Sequence, residues 1–269
     1  VLGSVGWIVA GLVIGFFAWE GMQTLKYSFY MSSGASAILG IYCFMLPNTP
    51  PKLASDKKLS FREIMGIDAL SMLKDRGFLF FFIASILICV PLAFYYQHAN
   101  QFLNELGMKA AASKMILGQI SEVLFLLLLP IFIKRYGIKN ALIVGILAWG
   151  IRYILFAYGN VGTQVWMLIF GIILHGVCYD FFFVSGQIYT DFKAGEKFKS
   201  TAQGLITLAT YGVGMLIGFR FAGWLTDQYV TDSGHLWKNI WVQPAIFSFV
   251  VLTLFLIFFK NETIKIKTV

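Results

Sequence analysis

Charged side chains are scarce in this chain: Asp, Glu, Lys and Arg together make up 13% of its 269 residues, and only 13 of them are acidic. Soluble domains carry about 25% charged residues, which excludes an ordinary soluble domain. Cysteine is scarcer still, and Cys43, Cys89 and Cys178 lie in separate apolar segments. That arrangement argues against a disulfide framework and for small buried hydrophobes. No HExxH, GxSxG, P-loop or paired-cysteine motif occurs, so neither an enzyme nor a metal centre has a basis in sequence. Val1 opens directly in an apolar segment, with no initiator Met and no basic stretch before it. A secretory signal would begin with charge, so a partial chain is expected. The formal charge of +8 is spread over many loops rather than gathered in one patch, and nucleic acid is not an expected partner.

What the chain has in abundance is apolar residues, 58% of the total, with a mean hydropathy of +0.76. The class is an all-α polytopic membrane protein whose main partner is the lipid bilayer. A spanning helix needs about 20 apolar residues. About eight transmembrane helices are predicted, near 1–18, 27–46, 77–96, 115–133, 141–158, 164–189, 201–226 and 239–259. Trp7, Trp19, Trp166, Trp224, Trp237 and Trp241 fall near span ends, as interfacial anchors do. If the spans alternate, Lys52, Lys57, Lys58, Arg62, Lys74, Arg76, Lys134, Arg135, Lys139, Lys193, Lys197, Lys199, Lys260, Lys265 and Lys267 share one face. The other face holds only Lys26, Lys109, Lys114 and Lys238. The positive-inside rule makes the rich face cytoplasmic. Pro47, Pro50 and Pro51 end the second span, and Phe61, Ile64, Met65, Ala69, Met72 and Leu73 then recur at helical spacing, predicting an amphipathic surface helix. The expected organisation is 1–46 as the last two helices of a truncated first bundle, 47–76 as a cytoplasmic linker, 77–259 as a six-helix bundle and 260–269 as a tail.

Glu122 and Asp180 are the two acids placed inside predicted spans. A charge at mid-bilayer costs roughly 2.5–3.5 kcal/mol on insertion scales, and such residues mark substrate or ion pathways. Gln119 and Glu122 are three apart and share a helix face, so Glu122 is expected to face the bundle interior, where it can take up and release a proton. The alternative is a structural hydrogen bond between helices. His175 and Tyr179 are four apart and lie on one side of the span that carries Asp180. Tyr179 offers a stacking face, though packing accounts for it equally well; His175 is either a structural donor or a second protonatable group. Arg152 sits well inside a span and requires a partner, with Asp180 and Glu122 as candidates. In the next span Gln203, Thr207, Thr210 and Tyr211 form a polar stripe, followed by Gly214 and Gly218 at the small-xxx-small spacing of close helix approach. Tyr95, Tyr96 and Gln97 are possible contacts on the opposite wall, and Phe183 offers a further flat apolar surface.

Several segments occur in order along most of the chain: Leu46-Pro47-Asn48-Thr49-Pro50-Pro51, Gln119-Ile120-Ser121-Glu122, Arg135-Tyr136-Gly137-Ile138-Lys139-Asn140, Leu155-Phe156-Ala157-Tyr158-Gly159, Asp180-Phe181-Phe182 and Ala202-Gln203-Gly204. With them the chain resembles the C-terminal two-thirds of a nucleoside:proton symporter of the major facilitator superfamily. The resemblance implies a bundle of six plus six helices when intact, and uptake by alternating access. It also implies nucleoside contact by the Gln and Glu of the second motif, Gln119 and Glu122, with Glu122 tied to proton coupling. An aromatic residue just before the Asp, here Tyr179, belongs to the pattern; His175 departs from it, where a relative has an aromatic. The candidate substrate-binding set is therefore Gln119, Glu122, Tyr179, His175, Phe183 and Gln203, and the proton-coupling set is Glu122, Asp180 and Arg152. No cofactor is expected beyond protons as coupling ion, and the intact protein is expected to be a monomer in the cytoplasmic (inner) membrane.

The alternatives are a sugar:proton symporter of the same superfamily, since Glu122, Arg152, His175 and Asp180 echo the acid, Arg and His set of such carriers, and a non-transporting membrane sensor or scaffold. The charge asymmetry tests the topology directly. A fluorescent protein fused after Lys260 is expected to fluoresce and alkaline phosphatase fused there to be inactive; the opposite pair of results reverses the topology.

Overall fold

The computed structural model describes residues 2–19, 23–49 and 66–260, apart from the side chains of residues 68 and 196–198. Helices dominate, as a bilayer demands when every backbone polar group must be satisfied within its own segment. They are α1 (Leu2–Phe16), α2 (Leu25–Cys43), α3 (Arg76–Glu105), α4 (Ala111–Tyr136), α5 (Ile138–Tyr158), α6 (Val165–Gly195), α7 (Lys199–Asp227) and α8 (Trp237–Phe258). The six from α3 to α8 are long and apolar enough to cross a membrane, whereas α1 is a shorter apolar helix. The predicted surface helix begins outside the described residues; its later part, Ile67–Lys74, is a 3-10 helix. Val230–Thr231 and Gly234–His235 form β1 and β2, a minimal antiparallel hairpin between α7 and α8.

The bundle packs α5 between α8 and α6, α4 against α6, and α3 against α7 and α8, while α1 lies along α4. None of the residues of α2 is buried. Aromatic rings fill the α3–α5–α8 core: Tyr153 stacks on Trp241 at 5.4 Å and 7°, and Phe102 and Phe156 each meet Trp241 near edge-on at 5.3 Å. Such pairs add to area burial because ring edges and faces carry opposite partial charge. Pro91 interrupts the α3 hydrogen-bond ladder, and its carbonyl accepts from the buried Tyr153 hydroxyl. Gly214 and Gly218 do act as packing residues: a Cβ would stand 2.8 Å from the Cys89 Cβ and 2.7 Å from the Ala93 Cβ respectively, so α7 closes on α3.

Two helices contain wide turns. Asp180–Val184 in α6 and Leu208–Gly214 in α7 are π-helical, and such turns concentrate at functional sites. Gly195, at φ +59°, takes the left-handed conformation that separates α6 from α7. At this end of the bundle Asp75 caps α3 by accepting from Phe78 N–H at 2.8 Å and pairs with Lys193 Nζ of α6 at 3.0 Å. Two of the basic stretches therefore lie together. At the opposite end, Glu105 accepts from Trp237 Nε1 at 2.9 Å and meets His235 Nδ1 at 3.0 Å.

Burial acts to raise the Asp75 carboxyl, but the Phe78 N–H and the Lys193 charge outweigh it and hold the group below its ordinary value of 3.8. A depressed folded value means that its contribution is complete above the unfolded value and is lost as pH falls through the folded one. Asp75→Ala is expected to cost about 1 kcal/mol as a lost cap, and Asp75→Asn less because an amide oxygen still accepts. Thermal melts of the full-length parent in detergent at neutral pH should rank wild type, Asn, Ala. The wild-type advantage over Asn should shrink below the usual aspartate range.

Candidate functional site

A cavity of about 550 Å³ opens between α1, α3, α4 and α6, inside the ~300–1,000 Å³ range of small-molecule sites. Ser4, Trp7 and Gly11 of α1 form one wall, and Tyr95, Tyr96 and Asn100 of α3 another. Met115, Gln119 and Glu122 of α4 and His175 and Tyr179 of α6 complete it. Four of the six predicted substrate residues, Gln119, Glu122, His175 and Tyr179, thus meet at one site. The two elements that carry them are held in contact by Ser121, whose hydroxyl donates to Ile173 O and accepts from Gly176 N–H at 3.0 Å. Gly176 makes that approach possible, since a Cβ there would lie 2.4 Å from the Ser121 carbonyl carbon.

Glu122 is bracketed on both oxygens. Ser4 Oγ donates to Oε1 at 2.8 Å, and His175 Nε2 lies 3.7 Å from Oε2. Arg152, fully buried, donates from Nη1 to His175 Nδ1 at 3.1 Å. Its Cζ sits 3.6 Å above the Tyr95 ring and 5.5 Å from those of Trp149 and Phe156. A desolvated guanidinium over an aromatic face gains roughly 2 kcal/mol or more. The partner of Arg152 is therefore His175, with Glu122 reached through it; Asp180 is not in the chain of contacts. Asp180, 1% exposed at the start of the wide turn, has no hydrogen-bond partner on either carboxyl oxygen among the described residues.

Two further candidates lie away from the cavity. Phe183 sits one turn below Tyr179 at 5.4 Å between centroids and lines a separate small pocket with Thr210 and Tyr211. The Tyr179 and Tyr211 hydroxyls are 2.8 Å apart, connecting α6 to the polar stripe of α7. Gln203 is engaged elsewhere, donating to Asp191 Oδ1 at 2.6 Å and Gln187 O at 2.8 Å. This pairing removes it from the cavity, because its amide is directed at the opposite side chain of the α6–α7 turn. Sequence reasoning missed Ser4, Trp7, Asn100 and Met115. Ser4 could have been found only as a hydroxyl on an apolar helix, a signal too common to be selective. Among the described residues no group of three or more His, Cys, Asp or Glu could hold a metal ion.

A polar, aromatic-lined cavity of ligand size within an all-α membrane bundle, with a carboxylate, a histidine and a buried arginine in series, is a small-molecule site. The model of the family described as "Nucleoside H+ symporter" matches residues 1–264, and the chain belongs to that family. It is 41% identical over 282 residues to the putative nucleoside transporter YegT of Escherichia coli strain K12, covering 99% of this chain and 66% of that protein. It is 29% identical over 281 residues to the nucleoside permease NupG of the same strain, covering 100% of this chain and 66% of the permease. Crystal structures of NupG superpose with TM-scores of 0.85 for an aspartate-to-alanine mutant and 0.80 for a second structure. Each is 29% identical, and they cover 96% and 97% of this chain and 66% of the NupG chain. The chain thus spans 66% of the length of these relatives.

Gly176→Ala in the full-length parent is expected to push α6 off α4 and lower stability by about 1–3 kcal/mol, the usual cost of overpacking. Gly204→Ala, where a Cβ meets nothing within 4 Å, serves as the control. Detergent melting temperatures should fall for the first substitution and hold or rise for the second.

Proposed function

We propose that the full-length protein takes up nucleosides across the cytoplasmic membrane by proton symport, alternating access between two helical bundles. The observation that carries this reading is Glu122, held by Ser4 and facing a cavity of ligand size in a chain of the nucleoside H+ symporter family. Names of the relatives, a putative nucleoside transporter and a nucleoside permease, support the substrate class.

In this reading Gln119 and Glu122 hydrogen-bond the ribose hydroxyls or the base edge, and Tyr179, backed by Phe183, stacks on the base. Stacking of this kind contributes ~1–3 kcal/mol per base in nucleic-acid binders. Glu122 takes the coupling proton. Asp180 is a second proton carrier, because a buried carboxylate with no donor among the described residues is costly as an anion. Arg152 acts through His175. Residues 1–46 are remaining helices of a first bundle, 47–76 the linker, 77–259 the second bundle and 260–269 a cytoplasmic tail. One proton moving down ~100 mV provides about 2.3 kcal/mol, enough for roughly a fifty-fold gradient of a neutral solute.

The test is uptake of radiolabelled uridine and adenosine by the full-length parent in vesicles with an imposed inward proton gradient. Wild type is expected to accumulate nucleoside in an uncoupler-sensitive way. Glu122→Gln is expected to lose at least tenfold of the accumulation while retaining exchange. No nucleoside uptake by wild type sinks the substrate assignment, and normal accumulation by the Gln variant sinks the coupling role.

A further inference from the structure

Arginine has only donors, so the 3.1 Å contact between Arg152 Nη1 and His175 Nδ1 requires that Nδ1 carry no proton. An imidazole without a proton at Nδ1 is neutral and bears its hydrogen at Nε2. Nε2 is the nitrogen that looks toward Glu122 Oε2 at 3.7 Å, on a residue that lines the cavity. That separation is too long for a direct hydrogen bond, which leaves the N–H to serve a third group standing beside the pair in the cavity. The ring cannot readily exchange its two nitrogens, because Tyr95 stacks on it at 5.2 Å and 27° and the same Tyr95 ring seats the guanidinium.

We propose that Arg152 is a positioning residue that fixes His175 as the neutral Nε2–H tautomer. The imidazole is then a constant hydrogen-bond donor to the substrate beside Glu122, and not a second proton carrier. Only the transport readout below rests on the nucleoside symport reading. The titratable and charged groups facing His175 are Arg152 from α5, Glu122 from α4, Tyr95 from α3 and Tyr179 on its own helix; the α1 wall brings Ser4 and Trp7 and no charge. The cation therefore stands on the Nδ1 side and the acid on the Nε2 side. A proton arriving at Nδ1 would meet the guanidinium, whereas one arriving at Glu122 would not. The arrangement separates two duties: Glu122 changes its protonation state, and His175 keeps its donor through that change.

The tautomer can be observed without any substrate. In the full-length parent with 15N-labelled histidine in lipid bilayers, the His175 resonances are assigned by their loss in H175Q. Wild type is expected to show an unprotonated Nδ1 and a protonated Nε2 from about pH 5 to 8, the window in which free histidine changes charge. Arg152→Met is expected to release the tautomer, so that a population protonated at Nδ1 appears. A doubly protonated ring in wild type near neutral pH, or a spectrum unchanged by Arg152→Met, overturns the proposal. Should the Met variant fail to insert, H175Q and H175N decide, because the Gln amide reaches the place of Nε2 and the Asn amide that of Nδ1. In nucleoside uptake H175N is expected to raise KM about tenfold more than H175Q, as loss of a hydrogen bond to a polar ligand does; equal KM values overturn it. Absence of nucleoside uptake in wild type would remove the transport reading and leave the spectroscopic result standing.

Discussion

Everything at the centre of this bundle is arranged around one desolvated cation. Arg152 has no access to solvent, and an uncompensated charge in such a place is among the most expensive features a membrane protein can carry. Besides the Trp149 and Phe156 rings of its own helix, compensation comes from the π face of Tyr95, the lone pair of His175 and, one group further on, the carboxylate of Glu122. Each of these last three is supplied by a different helix. One guanidinium thus ties α5 to α3 and α6 directly and to α4 through His175, although its Nε and Nη2 have no hydrogen-bond partner among the described residues.

The same cation gives the site its polarity gradient. The aromatic rings of the α3–α5–α8 core keep one side of Arg152 dry, and the cavity receives the other end of the series. Between the two, the series runs from a group that is always ionised, through an imidazole, to an acid held by a serine hydroxyl. Asp180 stands outside the series, one turn of α6 away and without a donor among the described residues. The two intramembrane acids thus occupy unlike environments even though the sequence presents them as a pair.

Much of this was legible in the sequence, for reasons that differ by residue. Long apolar runs have few physical solutions, so most ends of the spans from α3 to α8 could be placed within a few residues, although α3 runs nine residues past the predicted 96 and α6 six past 189. Glu122 and Asp180 stood out because an acid in such a run is costly, and Gln119 and Tyr179 followed from helical spacing and from the family pattern. What could not be read was anything depending on the third dimension between helices. Arg152 was expected to meet an acid directly, since opposite charge is the simplest partner, whereas the structure interposes His175, 23 residues away in the chain. Gln203 looked like part of a cavity-lining stripe because its spacing to Thr207 is helical. Its local partner Asp191 lies across a helix break at Gly195 that periodicity alone cannot anticipate.

The wide turns in α6 and α7 have a consequence for how the bundle can bend. Each turn spends more residues per revolution than the α-helix around it, which rotates the faces above relative to those below and weakens the ladder at that level. The two turns meet across the small pocket lined by Phe182, Phe183, Thr210 and Tyr211. Above this level lie His175 and Tyr179; below it, the Gly195 break and the Asp75–Lys193 and Asp191–Lys199 pairs. Two neighbouring helices thus carry a wide turn at the same height, between the cavity and the basic end of the bundle, and Asp180 is the first residue of one of those turns.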